Sequence, residues 1–232
     1  TENSNARSEW QLRTVNEARV FSQVVVANAW SAKALLPDYW LPTGKIRGQI
    51  SYLNSDETEL PKTVLCGRSY TAPALNKQRV IGATYNLKDD EENLRQEDHQ
   101  ENIEHSLDFG DELQNRQITG GRVSFRCTTP DYLPMVGALP DTRSFLTSYQ
   151  SLARNAKRIP RDACPTASGL WLNVGHGSRG LASTPLCAEL LASEISGDSS
   201  PIGLTVKEAL WPGRFLMRDM IRKKISLEDL DD

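Results

Sequence analysis

The first half of the chain alternates between apolar runs and short polar breaks, which is typical of β-strands. Within Val20–Asn28, three consecutive valines form a near-continuous apolar run, as expected for the interior of a buried sheet. Lys45–Leu53 places apolar residues at every second position, which predicts a half-exposed strand. Three further short strands are predicted close together, at Thr63–Cys66, Ser69–Ala74 and Arg79–Tyr85. This spacing, with turn residues between the runs, favours an antiparallel meander.

The second half mixes strands with helical patterns. Strands are predicted at Arg122–Cys127 and Leu170–Val174. Helices are predicted at Arg143–Ala156, at Leu181–Ser196 with Gly197 as its stop, and at Val206–Lys224. The whole pattern indicates an α/β protein with an α+β part.

An acidic stretch separates the two halves. Lys88–Glu112 contains eleven acidic and two basic residues. It predicts a surface helix over Glu97–Leu113, with a thin apolar stripe of Ile103, Leu107 and Leu113. Its exposed face is either an ordinary solvated surface or a negatively charged surface that repels an anionic partner and so orients it. His99 and His105 are expected to be solvated there.

Composition narrows the function classes. The 232 residues carry 27 basic and 30 acidic side chains, a net charge of −3, which argues against nucleic-acid binding driven by bulk charge. No apolar run approaches the roughly 20 residues needed to span a bilayer, so no membrane partner is expected. Four widely spaced cysteines without a C-x-x-C pair favour a reducing, cytoplasmic compartment, and three histidines leave little for a metal site.

The N-terminal residues bear on secretion and on processing of the chain. The first five residues are polar, without the apolar region of a signal peptide. The absence of a starting Met predicts a processed product or a piece of a longer protein.

Gly175–Gly180 matches the pattern G-x-G-x-x-G between an apolar strand and a helix. Backbone N–H groups at such a helix start stabilise negative charge. Because the residues after Gly180 show only helical patterns, the loop does not open a complete dinucleotide domain, although it fits the closing strand and helix of one. A serine-hydrolase elbow is excluded, since His176 replaces the required glycine before Ser178 and no later histidine follows.

Two arginines are candidates for binding the carboxylate of an acidic substrate. Arg126 lies on an apolar strand, and Arg179 lies inside the glycine loop. A guanidinium holds a carboxylate through two parallel hydrogen bonds. For Arg126 a structural alternative stays equally open, namely pairing with Asp131 or Asp141.

Several segments together resemble the D-amino-acid-oxidase/glycine-oxidase family of flavoproteins. They are Val24–Trp30, Lys45–Gln49, Tyr70 with Pro73, Ile81–Thr84, Arg126–Gly137 and Gly175–Gly180. Two longer blocks, Arg126–Gly137 and Gly177–Glu189, are similar to a bifunctional, tRNA-modifying branch of that family. The resemblance runs from about Gln11 to Lys224.

The resemblance implies the C-terminal elements of an FAD-binding Rossmann-like domain joined to a mostly antiparallel substrate-domain sheet. Residues 1–42 and 126–203 would belong to the flavin domain, 43–125 to the substrate domain, and 204–232 to a basic helical tail. The family's entry glycine loop has no counterpart upstream, so we expect a C-terminal portion of the flavin domain. In the whole protein, a methyltransferase domain would come earlier.

The implied reaction is oxidation of a secondary amine with FAD as cofactor. For the tRNA-modifying branch, the substrate would be 5-carboxymethylaminomethyluridine at the wobble position, with or without 2-thiolation, and the product would be the 5-aminomethyl base. Arg126 matches the arginine that binds the substrate carboxylate, Arg179 is a second contact near the flavin, and Tyr70 matches an aromatic hydroxyl of the substrate cavity. The implied cofactor contacts are Ala27, Asn28, Arg47, Gly48, Gly177, Ser178, Arg179, Gly180 and Leu181.

The basic tail has two interpretations. Arg214, Arg218 and Arg222 recur every four residues, and Lys223 and Lys224 extend them. This face either contacts tRNA phosphates or is an ordinary solvated helix end. A rival for the whole chain is a non-catalytic tRNA-binding or assembly module that has the same sheet and binds no flavin.

Overall fold

A computed structural model describes residues 9–230, apart from residues 60, 111, 112, 114, 159, 161 and 162. The polar N-terminal segment and two acidic residues of the Lys88–Glu112 stretch lie outside the described residues. The chain divides into two compact units, one made of the residues up to Gly44 and from Cys127 onward, the other of Lys45–Arg126. Both units combine sheets with helices, which confirms the mixed α/β class.

The strands are β1 (Trp10–Arg13), β2 (Ala18–Phe21), β3 (Val24–Val26), β4 (Gly44–Asn54), β5 (Leu65–Cys66), β6 (Tyr70–Thr71), β7 (Gln78–Gly82), β8 (Asn86–Leu87), β9 (Ile118–Thr128), β10 (Met135–Pro140) and β11 (Thr166–Val174). The helices are α1 (Ala32–Leu35), α2 (Gln96–Ser106), α3 (Thr142–Ser148), α4 (Gly180–Ser196), α5 (Leu204–Leu210) and α6 (Arg214–Ile221).

The first unit is built on a three-stranded sheet in the order β10–β11–β3. Strand β11 pairs antiparallel with β10 and parallel with β3. Helix α4 packs on β10 and β11, and its end at Gly197 in the left-handed conformation is as predicted. The sheet's core includes the buried side chains of Met135, Leu172 and Phe215, so helix α6 contributes to it.

The predicted strand over Val20–Asn28 is wrong in its length. The predicted strand is interrupted at Ser22–Gln23. Strand β2 pairs with β1 in a hairpin, whereas β3 joins the three-stranded sheet beside β11. The expectation of a fully buried valine run is also wrong, because Val25 is 44% exposed. Among the described residues, β3 is the outer strand of its sheet, so one of its edges is unpaired.

The predicted tail helix over Val206–Lys224 is two helices, α5 and α6. Trp211, Pro212 and Gly213 separate them, because a proline lacks the N–H group that would continue the helix. The predicted helix over Arg143–Ala156 likewise ends as α3 at Ser148 and continues as a 3-10 turn over Gln150–Ala153. In the described part of the chain, no helix combines the length and the apolarity that crossing a membrane requires.

The second unit is a sheet in the order β5–β6–β7–β4–β8, with β9 also paired to β4. All of the pairings recorded among β4 to β8 are antiparallel, as the meander pattern predicts. Helix α2 packs against β7, and a small apolar core forms around Leu53, Ile81 and Leu113.

The acidic stretch forms α2 and then a 3-10 turn over Leu107–Phe109, so the predicted helix was too long. Its buried face is mostly polar, because it meets the polar side chains of β4. The guanidinium of Arg47 pairs with Asp98, and the Ser51 hydroxyl lies 2.7 Å from Nδ1 of His99. His99 is buried, which corrects the expectation that it is solvated.

Candidate functional site

Three segments of the first unit meet at one edge of its sheet. Because β3 and β11 run parallel, with Val26 opposite Leu172, the residues that follow them emerge at the same edge. These residues are Ala27 and Asn28 after β3, and the glycine loop Gly175–Gly180 after β11. The turn Thr129–Pro134 arrives there as well, since Met135, the first residue of β10, lies opposite Val174.

The glycine loop offers backbone donors and an uncovered apolar side chain. Gly175 and Gly177 have φ angles of +84° and +57°, a conformation that favours glycine. A 3-10 turn over Gly177–Arg179 leads into α4, a helix of 17 residues. The first N–H groups of a helix have no partner within it and carry partial positive charge. Leu181 in the first turn is 99% exposed. The loop therefore suits an anionic group beside an apolar surface.

Arg179 and Ser178 lie on this loop with exposed side chains. No carboxylate among the described residues forms an ion pair with Arg179. Ala27 and Asn28, at the end of β3, are exposed at the same sheet edge. The structure thus brings together all of the predicted cofactor residues of the first unit.

His176 fixes the glycine loop from within, a role that the sequence did not reveal. Its Nε2 lies 2.8 Å from Oδ1 of Asn173, and its Nδ1 lies 2.8 Å from the hydroxyl of Ser183. The amide oxygen of Asn173 accepts a hydrogen bond from Nε2–H, and the Ser183 hydroxyl, which lies against Nδ1, also has the Arg179 carbonyl as an acceptor at 3.0 Å. Burial lowers the pKa of His176, which favours the neutral form of the ring. The sequence signal was only a histidine seven residues before a serine.

In the second unit, Gly48, Tyr70 and Arg126 line one small cavity of about 170 Å³. Nη1 of Arg126 donates to the backbone carbonyl of Thr84 at 3.2 Å, and the guanidinium lies 5.3 Å from the Tyr85 ring centre. No carboxylate among the described residues of this unit pairs with Arg126.

The carboxylates suggested as structural partners of Arg126 are engaged within the first unit. Asp131 forms an ion pair with Arg214, and Asp141 caps helix α3 by accepting from the Ser144 N–H at 2.8 Å. Each of these two carboxylates thus has a partner within its own unit.

Tyr70 lines the same cavity. Burial raises the pKa of Tyr70, and the nearby positive charge of Arg126 opposes that rise. The phenol thus stays protonated at neutral pH and is able to donate a hydrogen bond. A guanidinium and a phenol in one cavity form a suitable pair of donors for a carboxylate.

Arg47 differs from the other candidates, because its side chain is fully buried. It donates to Asp98 and to the backbone carbonyls of Glu91 and Asn93. Only the backbone at this position is left to contact a ligand.

The basic tail does not present one continuous cationic face. Arg214 and Arg218 are paired with Asp131 and Asp219, whereas the side chains beyond them are exposed. Those exposed residues are Arg222, Lys223 and Lys224. The cationic surface of α6 is thus concentrated at its C-terminal end.

The cysteines and the possible metal ligands do not add to the candidate site. All four cysteines are free thiols, and burial raises the pKa of Cys164 to about 11. In the described portion, no three His, Cys, Asp or Glu side chains form a group that could hold a metal ion.

Comparisons with known proteins agree with this architecture. Residues 2–194 match the family described as FAD dependent oxidoreductase. The chain is 39% identical over 218 residues to the tRNA 5-methylaminomethyl-2-thiouridine biosynthesis bifunctional protein MnmC of Chromobacterium violaceum, covering 91% of this chain and 33% of that protein. The protein of the same name from Pseudomonas aeruginosa strain UCBPP-PA14 is 39% identical over 207 residues, covering 85% of this chain and 32% of that protein. The chain thus spans about a third of these relatives.

Solved structures show the same fold at low sequence identity. Glycine oxidase from Geobacillus kaustophilus superposes with a TM-score of 0.67 at 17% identity, covering 88% of this chain and 48% of that one. Iminodiacetate oxidase from Chelativorans sp. BNC1 gives a TM-score of 0.63 at 17% identity, with coverages of 85% and 51%. These matches confirm the predicted Rossmann-like fold class, and the family match over residues 2–194 confirms the predicted family resemblance and FAD as the family's cofactor.

Proposed function

Because this chain belongs to the FAD dependent oxidoreductase family, we propose that it is the flavin- and substrate-binding part of an enzyme that oxidises a modified wobble uridine of tRNA. The substrate is 5-carboxymethylaminomethyluridine or its 2-thio form, and the product is the 5-aminomethyl base. The similarity to two tRNA-modifying bifunctional proteins over most of the chain supports this choice.

The glycine loop is the part of the first unit assigned to FAD. The backbone N–H groups of Gly177, Ser178, Gly180 and Leu181 would hold the pyrimidine edge of the flavin and stabilise the charge it gains on reduction, and Arg179 would add positive charge. Ala27 and Asn28 would hold the cofactor from the end of β3. The exposed Leu181 side chain and the donor-rich start of α4 fit such a group. When bound, FAD supplies the electron acceptor for the oxidation.

Arg126 is the main support for the proposed substrate site. Its guanidinium lies in a cavity with the Tyr70 phenol and has no carboxylate partner among the described residues of its unit. We assign it to the carboxylate of the carboxymethyl group, with Tyr70 as a second donor. Backbone atoms of Arg47 and Gly48 are assigned to the flavin neighbourhood, since the Arg47 side chain is occupied by Asp98.

The reaction is balanced without a protein nucleophile. Bound FAD would supply a two-electron acceptor, so that the C–H bond beside the secondary amine and the amine N–H could both be lost and the amine oxidised to an imine. Water then adds to the imine carbon and the C–N bond breaks. This leaves the primary amine on the uridine and releases the two-carbon fragment as glyoxylate.

The protein's residues orient the substrate for this step. Binding the carboxylate places the methylene hydrogens and holds the amine, so the rate gain comes from position and electrostatics. The free cysteines are compatible with action in the cytoplasm, where the tRNA substrate is found.

Product analysis tests the proposal directly. The whole protein, expressed from its own start codon, is incubated with tRNA that carries 5-carboxymethylaminomethyluridine. We expect one glyoxylate per 5-aminomethyluridine formed. Unchanged tRNA in the presence of bound FAD would contradict the assigned substrate, whereas a folded protein that takes up no FAD would favour the non-catalytic binding module.

A further inference from the structure

We propose that Arg214, in the C-terminal tail, is a positioning residue for the glycine loop. Through Asp131 it fixes the turn Thr129–Leu133, and this turn supports the start of the loop. The inference rests on the proposed function, in which the loop Gly175–Gly180 holds FAD. The inference also changes the interpretation of the basic tail, because Arg214, its first arginine, would support the glycine loop and would not contact tRNA.

Every N–H donor of Arg214 has a partner. Nε and Nη2 bind the two carboxylate oxygens of Asp131 at 2.9 and 3.1 Å. Nη2 also donates to the carbonyl of Leu133 at 2.8 Å, and Nη1 donates to the carbonyls of Leu210 and Trp211 at 2.9 and 3.0 Å. A guanidinium has five N–H donors, so this network uses all of them. The fork geometry is one that lysine does not reproduce.

Asp131 passes this constraint into the turn. Its Oδ1 accepts from the Thr129 hydroxyl and from the Leu133 N–H, both at 3.0 Å. Burial alone would raise the pKa of Asp131, but the bonds and charge of Arg214 together with the other donors hold that pKa below its usual range. The carboxylate is therefore ionised at neutral pH and bridges the tail to the turn.

The turn has a conformation that requires outside support. The Tyr132 N–H donates to the Thr129 carbonyl at 3.1 Å, and Tyr132 has a φ angle of +61°. A bulky side chain in this left-handed region is unfavourable and persists where neighbouring contacts hold it in place. Arg214 and Asp131 provide those contacts on both sides of Tyr132.

Thr129 is the point at which the turn meets the glycine loop. A β-carbon placed on Gly175 would lie 2.6 Å from the Thr129 methyl carbon, and 3.7 Å from Pro134 Cα and Met135 N. A β-carbon placed on Gly177 would lie in ordinary contact with the Thr128 methyl carbon, at 3.5 Å. The backbone of the loop thus rests directly on the turn, and a displaced turn leaves its N–H groups without a fixed direction.

The test compares FAD binding by variants of the whole protein. Arg214→Gln and Asp131→Asn are each expected to weaken FAD binding about ten-fold or more, because a small misplacement of positioned groups is costly. Arg214→Lys should recover part of the affinity by keeping the charge. The double variant should be no weaker than either single variant, since both remove the same link.

The flavin potential separates positioning from a general loss of stability. In Arg214→Gln loaded with FAD, misdirected loop donors stabilise reduced flavin less, so the midpoint potential should fall. Arg218→Gln is the matched control, because Arg218 is on the same helix, lies over the same Phe215 ring and is also paired with an aspartate. It should lose thermal stability while keeping the FAD affinity and potential of the unaltered protein.

The outcomes are distinct. FAD affinity and potential that stay unchanged in both Arg214→Gln and Asp131→Asn would overturn the inference while leaving the proposed function intact. Equal losses of affinity in Arg214→Gln and Arg218→Gln would also overturn it, since stability alone would explain them. An unaltered protein that binds no FAD would overturn both.

Discussion

Gly48 occupies the space beside the Arg126 guanidinium, and a β-carbon at position 48 would overlap Nη1 and lie 2.9 Å from Cζ of Arg126. The space beside Gly48 is therefore filled by the end of the arginine side chain, while the glycine's own backbone has an ordinary strand conformation. This relationship joins two candidate residues that the sequence placed 78 positions apart.

The Gly48→Ala variant tests that relationship. The added methyl group displaces the guanidinium, so we expect KM for the modified tRNA to rise about ten-fold or more, in keeping with a loss of about 2 kcal/mol from a charged contact. Gly44→Ala is the control on the same strand, because a β-carbon there meets only ordinary contact at 3.5 Å. Equal kinetics for the two variants would remove Arg126 from substrate binding.

Local patterns in the sequence located the main elements but not their partners. The glycine loop, the strand before it and the stop at Gly197 follow from apolar runs and glycine spacing. The buried polar face of α2 did not follow, because the helical pattern of Asp98 and His99 is that of a solvated surface. Only pairing with Arg47 and Ser51 on β4, about fifty residues earlier, explains their burial.

The same limit applies to the candidate site. Arg126 and Gly48 were identified from a family pattern, whereas the contact between them depends on the pairing of β4 with β9. Arg214 was placed on a cationic surface by its four-residue spacing, but its partner Asp131 lies 83 positions away. Long-range pairs of this kind leave no periodic signal in a single sequence.

The buried pair of Arg47 and Asp98 should be a main contribution to the stability of the second unit. Removing one partner leaves an uncompensated charge, so Arg47→Met should destabilise the unit by about 3–5 kcal/mol. Hydrogen exchange of the α2 amides measures this loss. Arg68→Gln, at an exposed pair with Asp108, should leave exchange nearly unchanged. Similar protection in both variants would show that the buried pair is not a main support of α2.

Acid should weaken the second unit through His99. Burial lowers its folded-state pKa below the ordinary 6.5, although Asp98 opposes the shift. The unfolded chain therefore binds a proton first as the pH falls, so the stability present above 6.5 is lost as the pH drops through the folded pKa. We expect His99→Gln to show a shallower decline of α2 protection between neutral and mildly acidic pH. Parallel declines would contradict this assignment.

The end of the tail should contribute to tRNA affinity through charge alone. Arg222, Lys223 and Lys224 are exposed, and replacing all three by alanine should reduce the slope of log affinity against log salt by about 2. Filter binding at several salt concentrations measures the slope. An unchanged slope would support the interpretation of this segment as a solvated helix end.

The central claim is that this chain binds FAD for the oxidation of a carboxymethylamino group on tRNA. The most direct measurement is an anaerobic titration of the whole protein with tRNA carrying 5-carboxymethylaminomethyluridine, followed by the visible flavin spectrum. We predict loss of the oxidised flavin band at one substrate per flavin, and FAD as the cofactor released on denaturation. A protein that holds no flavin, or whose flavin stays oxidised in the presence of this tRNA, would contradict the claim.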